Sequence, residues 1–199
     1  VLQQVYKKIG LGGDGSGGST LAEQLEKLRH SDGGRTNGMV DKATQVFTAS
    51  ARAYAQDRNS TLESRKTAVA GYINAVPLSG YAGFGEVIGM ADGLAVWFDT
   101  NVDDFNTIMH MPEADLSDAE WGLKAQYYRQ TLALIMAVQR PTVYLRKDKT
   151  ILDGRIDRYL PSFERAGIIS TELKERALTM RLDWAEKINP DLLAKEPEK

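Results

Sequence analysis

The spacing of apolar residues most constrains what this chain can fold into, because it recurs about every 3.6 residues and never alternates strictly. Leu21, Leu25 and Leu28 form the first such stripe, and glycine-rich or proline-containing breaks separate it from later ones. Ser117 and Glu120 have the spacing of a capping box, which marks a helix start. The sequence therefore predicts a mainly α fold.

The helices can be placed along the chain from these stripes and breaks. Further helices are predicted over residues 39–57, 61–76, 117–139, 149–166 and 170–188, and the segment 80–98 is predicted to begin as a glycine-rich loop and continue as a helix. One apolar side of the second helix is expected to hold Val40, Ala43, Phe47, Ala51 and Tyr54. The third helix is expected to face a core with Leu62, Val69, Tyr72, Ile73 and Val76. Pro161 is expected to kink or divide its helix.

Composition limits the class of protein. The chain has 199 residues, of which 42% are hydrophobic and 26% charged, so we expect one compact domain over residues 1–188 and a polar tail over residues 189–199. A net charge of -2 gives no overall attraction to nucleic acid. The chain has no cysteine, which excludes disulfides, thiolate metal ligands and a thiol nucleophile. Its apolar runs are shorter than the roughly 20 residues of a membrane-spanning helix.

The stretch GGDGSGGSTLAEQL, which ends at Leu25, joins a glycine run to a marked helix start. Thr20 and Glu23 have capping-box spacing, and Ser19 is also a suitable N-cap. Free backbone N–H groups and the positive pole of the helix dipole favour an anion such as pyrophosphate at this position. The alternative is a flexible loop before an ordinary capped helix. No Gly-Lys-Ser/Thr follows the glycines, so a Walker-type phosphate loop is not indicated.

Several stretches, in order, resemble the family 51 glycosyltransferases, which are the peptidoglycan glycosyltransferase domains of class A penicillin-binding proteins and their monofunctional relatives. GGSTLAEQL is similar to the family element GGSTITQQL, and SRKTAVAGYINAV is similar to SKxxILExYLNxV. GYAGFGEVIGMADGLAVWF resembles the family's glycine-rich loop and the helix that ends in an aromatic pair. LSDAE, ALIMAVQRPTVYL and GRIDRYLPSFERAGIIS resemble the later elements. The resemblance extends from Gly17 to about Leu178.

The resemblance implies a lysozyme-like helical fold with a smaller, membrane-facing jaw, at the outer face of the bacterial cytoplasmic membrane. It also implies polymerisation of lipid II, in which a sugar hydroxyl attacks the growing glycan and undecaprenyl pyrophosphate leaves. Expected partners are lipid II or a nascent glycan strand, the membrane surface and other cell-wall synthesis proteins, and Mg²⁺ or Mn²⁺ is the cofactor that would accompany the pyrophosphate. The substrate-binding residues carried over by matching motifs are Gly18, Ser19, Thr20, Gln24, Arg65, Tyr72, Asn74 and Arg155.

Both catalytic glutamates of the family are unmatched, so the catalytic residues are unknown. The EDxxFxxHxG element has no counterpart between Val1 and Ser16, which we expect to be explained by a missing N-terminal part or by true loss. The second glutamate, of an RKxxE element, falls near Ala51 or Arg52. Three interpretations stay open: an enzyme, a catalytically inactive relative that binds lipid-linked glycan, and a purely structural helical module.

Other carboxylates and the histidines give weaker signals. Glu23 and Glu120 are most simply explained as helix caps, whereas Glu86, in the glycine-rich loop, is a candidate acid with no identifiable partner. His30 and His110 stand apart from each other and from ligand-spaced acids, so no zinc site is expected.

Overall fold

A computed structural model describes residues 21–30, 39–55 and 62–189 of the chain. The chain divides into two compact units, the first ending at Ala75 and the second beginning at Val76. The described residues are mainly helical, which confirms the predicted fold class. No helix in these ranges has the length and apolar character needed to cross a membrane. The predicted domain extent of 1–188 stays a prediction, and residues 190–199 of the predicted tail lie outside the described ranges.

In the first unit, the described residues form three helices: α1 (Leu21–His30), α2 (Met39–Ala55) and α3 (Leu62–Ala75). Helix α1 packs against both of the others. Ion pairs join α1 to α2: Lys42 Nζ lies 2.8 Å from Glu23 Oε2, and Arg52 Nε lies 3.2 Å from Glu26 Oε1. The rotation of α2 about its axis is therefore fixed by charged contacts as well as by apolar packing.

The predicted apolar side of α2 is wrong where the structure describes it. Phe47 is 76% exposed and Ala51 is exposed, whereas Gln45 and Ala49 are buried. The physical reason is that the ion-paired side of α2 faces α1, which turns Phe47 outward. A similar correction applies to α3, where Leu62 and Val69 are exposed, Tyr72 and Ile73 are half-buried, and Val76, just beyond the helix, is buried.

The second unit begins with an antiparallel hairpin of β1 (Pro77–Tyr81) and β2 (Gly85–Ile88). The chain continues through α4 (Gly89–Phe98), α5 (Val102–His110), a 3₁₀ turn (Glu113–Asp115), α6 (Asp118–Ala137), a π-helical turn (Val143–Lys147), α7 (Thr150–Arg165) and α8 (Thr171–Thr179). Helix α4 packs against the hairpin, α5 and α6, and its residues from Gly93 to Phe98 are buried. The core of this unit is thus built around α4.

The hairpin corrects the prediction that residue 80 onward begins as a loop. Each strand places a single side chain in the core, Leu78 from β1 and Val87 from β2, and both are fully buried. One inward residue per strand is too few to produce a visible alternation in the sequence. Gly83 and Gly85 adopt positive φ angles of 86° and 102°, which only glycine accepts readily, so these glycines serve the turn of the hairpin.

The helices in this unit follow the sequence signals in part: α5 was not predicted, and α7 and α8 differ from their predictions. The capping box of α6 is present, since Ser117 Oγ accepts from the Glu120 backbone N–H and the Glu120 carboxylate accepts from the Ser117 N–H at 2.8 Å. Helix α7 runs through Pro161 without division. Helix α8 ends at Thr179 rather than near residue 188 because the chain that follows packs in a non-helical form, with the Ala185 N–H donating to the Trp97 carbonyl at 2.9 Å.

Gly93 is a position where α4 closely approaches its neighbours, as expected of a small residue at a helix contact. A Cβ there would lie 2.6 Å from Leu78 Cδ1 and 2.9 Å from Leu134 Cδ1, and both leucines are fully buried. We expect Gly93→Ala to lower the free energy of unfolding by about 1–3 kcal/mol through overpacking. Gly154→Ala is the matched control, because a Cβ at Gly154, within α7, meets nothing within 4 Å.

Denaturant unfolding followed by circular dichroism would compare the two variants. The control is expected to gain about 0.5–1 kcal/mol, since alanine favours a helix more than glycine does. A gain in both variants would show that α4 has more room at Gly93 than the structure gives it.

Candidate functional site

The first unit brings together two of the elements that carry predicted site residues. Gln24 lies in α1 and is half-buried, and Tyr72 and Asn74 lie near the end of α3. Since α1 packs against α3, the helix that follows the GGST stretch and the helix that carries the YIN sequence are neighbours. Gly18, Ser19 and Thr20, with the predicted capping box, lie outside the described residues.

Tyr72 offers a hydroxyl that stays protonated at neutral pH. Its burial raises the pKa above the ordinary value of 10.0, so ionisation would require a strongly alkaline solution. A neutral phenol can donate a hydrogen bond to a phosphate or sugar oxygen. Asn74, two residues further on, is exposed and adds an amide with both donor and acceptor groups.

Two arginines lie where α2 ends and α3 begins. Arg52 is in the last turn of α2, and its carbonyl accepts a hydrogen bond from Ser64 Oγ at 3.3 Å, which ties the start of α3 to the end of α2. Arg65 is the residue after Ser64, and its side chain is exposed. In the described part of the chain, no ion pair engages the Arg65 guanidinium within 4.0 Å. This corner of the unit therefore presents positive charge to solvent.

The Arg52 guanidinium stands against a buried carboxylate. Its Nε lies 3.2 Å from Glu26 Oε1, and the Glu26 side chain is only 4% exposed whereas that of Arg52 is 54% exposed. Arg52 stands near the position of the family's second glutamate, whereas Glu26 was not among the residues predicted from the sequence. The signal for Glu26 is its place three residues after Glu23 on α1, which puts both carboxylates on the side that meets α2.

Arg155, the remaining predicted site residue, lies on α7 in the second unit and makes its contacts there. Its Nη1 donates to the Tyr144 hydroxyl at 2.5 Å, its Nη2 lies 3.4 Å from Gln139 Oε1, and its guanidinium carbon lies 5.0 Å from the centre of the Tyr144 ring. These contacts hold the guanidinium in one orientation, and Arg155 is half-buried. The arrangement leaves part of the cation accessible to an anion.

An aromatic cluster in the second unit encloses a lysine that the sequence did not single out. Lys149 Nζ lies 4.6 Å from the centre of the Trp184 ring and 5.7 Å from that of Trp97. Burial lowers the pKa of Lys149 below its ordinary value of 10.5. Tyr81 and Phe98 extend the cluster through ring contacts with Trp97 and Trp184. Contacts between a cation and aromatic rings explain how this lysine is accommodated among them.

The other candidate groups are not assembled into a metal centre. Within residues 21–30, 39–55 and 62–189, no group of three or more histidine, cysteine, aspartate or glutamate side chains is arranged to hold a metal ion. Glu86 is exposed on β2. Hydrogen bonds from the Ser117 side chain and backbone lower the pKa of Glu120, as expected of a capping residue.

Comparison with known proteins identifies the family. The family model described as "Transglycosylase" matches residues 1–160, and the chain belongs to that family. Membership implies a lipid-linked glycan substrate and a function in the cell envelope, and suggests peptidoglycan glycosyltransferase activity. No curated protein and no solved structure matches the chain significantly.

Proposed function

We propose that this domain binds lipid II or a growing lipid-linked glycan strand at the first unit. The observation that carries the proposal is the packing of α1 against α3, which places the helix that carries Gln24 next to the helix that carries Tyr72 and Asn74. Both helices belong to elements that resemble substrate-binding motifs of the family. A transglycosylase-family domain that kept only the fold would not need these polar groups on adjacent helices.

The chemistry of these groups suits a diphosphate and a sugar. Gln24 and Asn74 can hydrogen-bond to sugar hydroxyls, and the Tyr72 phenol can donate to a phosphate oxygen. Gly18, Ser19 and Thr20 would offer the backbone N–H groups of a helix start to the pyrophosphate. Arg65 supplies a cation in this unit, and Mg²⁺ or Mn²⁺ bound with the pyrophosphate would add to its charge. We propose that the domain acts at the outer face of the cytoplasmic membrane. Its proposed partners are the membrane surface and other cell-wall synthesis proteins.

Polymerisation requires more than binding. The 4-hydroxyl of the lipid II sugar forms a bond to the anomeric carbon of the growing chain, a carboxylate base removes the hydroxyl proton, and the bond to the diphosphate oxygen breaks with inversion. Undecaprenyl pyrophosphate then leaves, and the positive groups named above stabilise its developing charge. If the domain has a suitable base, we propose that it carries out this reaction.

A second candidate is a catalytically inactive relative that binds the same ligand. The observation that favours it is the ion pair between Arg52 and Glu26, since a guanidinium occupies the position near which the family pattern places its second glutamate. Loss of acid–base catalysis alone would slow turnover by roughly 10²–10⁴-fold. Binding need not be lost with it.

One experiment separates these candidates. The full protein is incubated with labelled lipid II and Mg²⁺ or Mn²⁺, and both saturable binding and glycan polymer are measured. Binding with polymer supports the enzyme, and binding without polymer supports the inactive relative. Absence of both overturns the proposed function. Repeating the measurement with a chelator tests the role of the divalent cation.

The hydroxyl of Tyr72 provides a sharper test of the site. We expect Tyr72→Phe to weaken lipid II binding about tenfold, because it removes a hydrogen bond to a charged or sugar oxygen. Tyr159→Phe is the matched control, since Tyr159 is an exposed tyrosine on α7 that stacks on Phe163. Equal binding by the two variants would remove Tyr72 from the site.

A further inference from the structure

The ion pair between Arg52 and Glu26 combines a fixed group with an accessible one. The Glu26 carboxylate is buried and held on α1, whereas the side chain of Arg52 is about half exposed. The 3.2 Å contact is made through Nε of the guanidinium. Its two terminal nitrogens form no ion pair or hydrogen bond with the described residues. A contact through Nε leaves the outer N–H groups of the guanidinium on the exposed side, where a phosphate can accept two parallel hydrogen bonds from them.

The charge around Arg52 favours an anion. Glu23 is paired with Lys42 and Glu63 with Lys66, each at 2.8 Å, so these carboxylates are partly neutralised. Arg65 adds an exposed guanidinium at the start of α3, where Ser64 is hydrogen-bonded to the Arg52 carbonyl. The corner between α2 and α3 therefore carries two arginines on backbones that are tied together.

We propose that Arg52, oriented by Glu26, binds the diphosphate group of the substrate. This inference rests on the proposed function, because the lipid-linked glycan supplies the diphosphate. The family pattern places a glutamate near this position, so Arg52 has the opposite charge to the residue expected there. The buried Glu26 acts as a positioning residue for the guanidinium and does not contact the ligand.

Farnesyl diphosphate and farnesol are suitable probes, because they differ in the diphosphate group. Binding to the full protein is measured by calorimetry at several salt concentrations. We expect Arg52→Gln to weaken farnesyl diphosphate binding roughly tenfold or more and to flatten its salt dependence, while farnesol binding is unchanged. Arg52→Lys keeps the charge but loses the fork of donors, so a smaller loss of about threefold is expected.

Two further variants control for position and orientation. Arg165→Gln removes one exposed arginine from the end of α7 and is expected to leave binding within about twofold of the unaltered protein. Glu26→Gln removes the orienting charge and is expected to weaken farnesyl diphosphate binding by about threefold. Melting temperatures show which variants are folded, and if Arg52→Gln is not, Arg52→Lys decides the question.

The outcomes distinguish this inference from the proposed function. If the unaltered protein binds farnesyl diphosphate and Arg52→Gln binds it equally well, the role of Arg52 is overturned while the proposed function stands. The same conclusion follows if Arg52→Gln and Arg165→Gln lose equal affinity, because the effect is then one of general charge. If the unaltered protein binds neither farnesyl diphosphate nor lipid II, both proposals fail. If it binds lipid II alone, only the role of Arg52 in diphosphate binding is overturned.

Discussion

Arg129→Met is expected to lower the free energy of unfolding of the second unit by about 3–5 kcal/mol. Arg129 is fully buried on α6, and its guanidinium is ion-paired with Asp153 and Asp157 of α7. Its Nη1 also donates to the Ala177 carbonyl of α8 at 2.8 Å. One side chain thus joins three helices, and methionine would leave Asp153 and Asp157 partly buried with only the exposed Arg181 guanidinium, 3.5 Å from Asp157 Oδ2, as a nearby cation.

Chemical denaturation followed by circular dichroism would measure this effect. Arg158→Met is the matched control, since Arg158 is exposed on α7, and we expect a change within about 0.5 kcal/mol. Adding Asp153→Asn and Asp157→Asn to Arg129→Met should recover part of the loss, because the unpaired charges are then removed. A loss below about 1 kcal/mol for Arg129→Met alone would contradict the role of this network.

The sequence predicts those parts of the fold that depend on local signals. The start of α6 is an example, because the capping box of Ser117 and Glu120 requires only residues three apart. The rotation of α2 depends instead on Glu23 and Glu26 of another helix, so an apolar stripe that includes Phe47 indicated the wrong side. The end of α8 depends on contacts of the residues that follow it, such as the hydrogen bond from the Ala185 N–H to the Trp97 carbonyl. Helix propensity contains no information about such contacts.

The candidate site shows the same division between what local sequence predicts and what depends on tertiary contacts. Motif order predicts Gln24, Tyr72 and Asn74 as site residues, and the packing of α1 on α3 shows that the helices which carry them are neighbours. Glu26 was missed because its importance comes from burial against Arg52, which is a tertiary property. A motif also cannot report that Arg155 is already engaged with Tyr144.

Trp97→Ala is expected to cost the second unit about 3–5 kcal/mol. Trp97 is 2% exposed near the end of α4, and its indole N–H donates to the Leu78 carbonyl of β1 at 3.1 Å. Its ring meets Tyr81 edge to face with centroids 5.1 Å apart. Alanine would leave a large cavity between the helix and the hairpin and would remove the donor to the Leu78 carbonyl.

Two other tryptophan variants would separate the contribution of ring packing at Trp97 from that of its indole hydrogen bond. Trp97→Phe keeps most of the ring but removes the indole N–H, so a smaller loss of about 1–2 kcal/mol is expected. Trp121→Ala is the matched control, because Trp121 is half-buried on α6 with the Arg176 guanidinium 5.5 Å from its ring, and its loss should be about 1 kcal/mol. Denaturation monitored by circular dichroism avoids the fluorescence change that the substitutions themselves cause. If Trp97→Ala costs no more than Trp121→Ala, the hairpin does not depend on Trp97, and the core must be held mainly by the aliphatic side chains around α4.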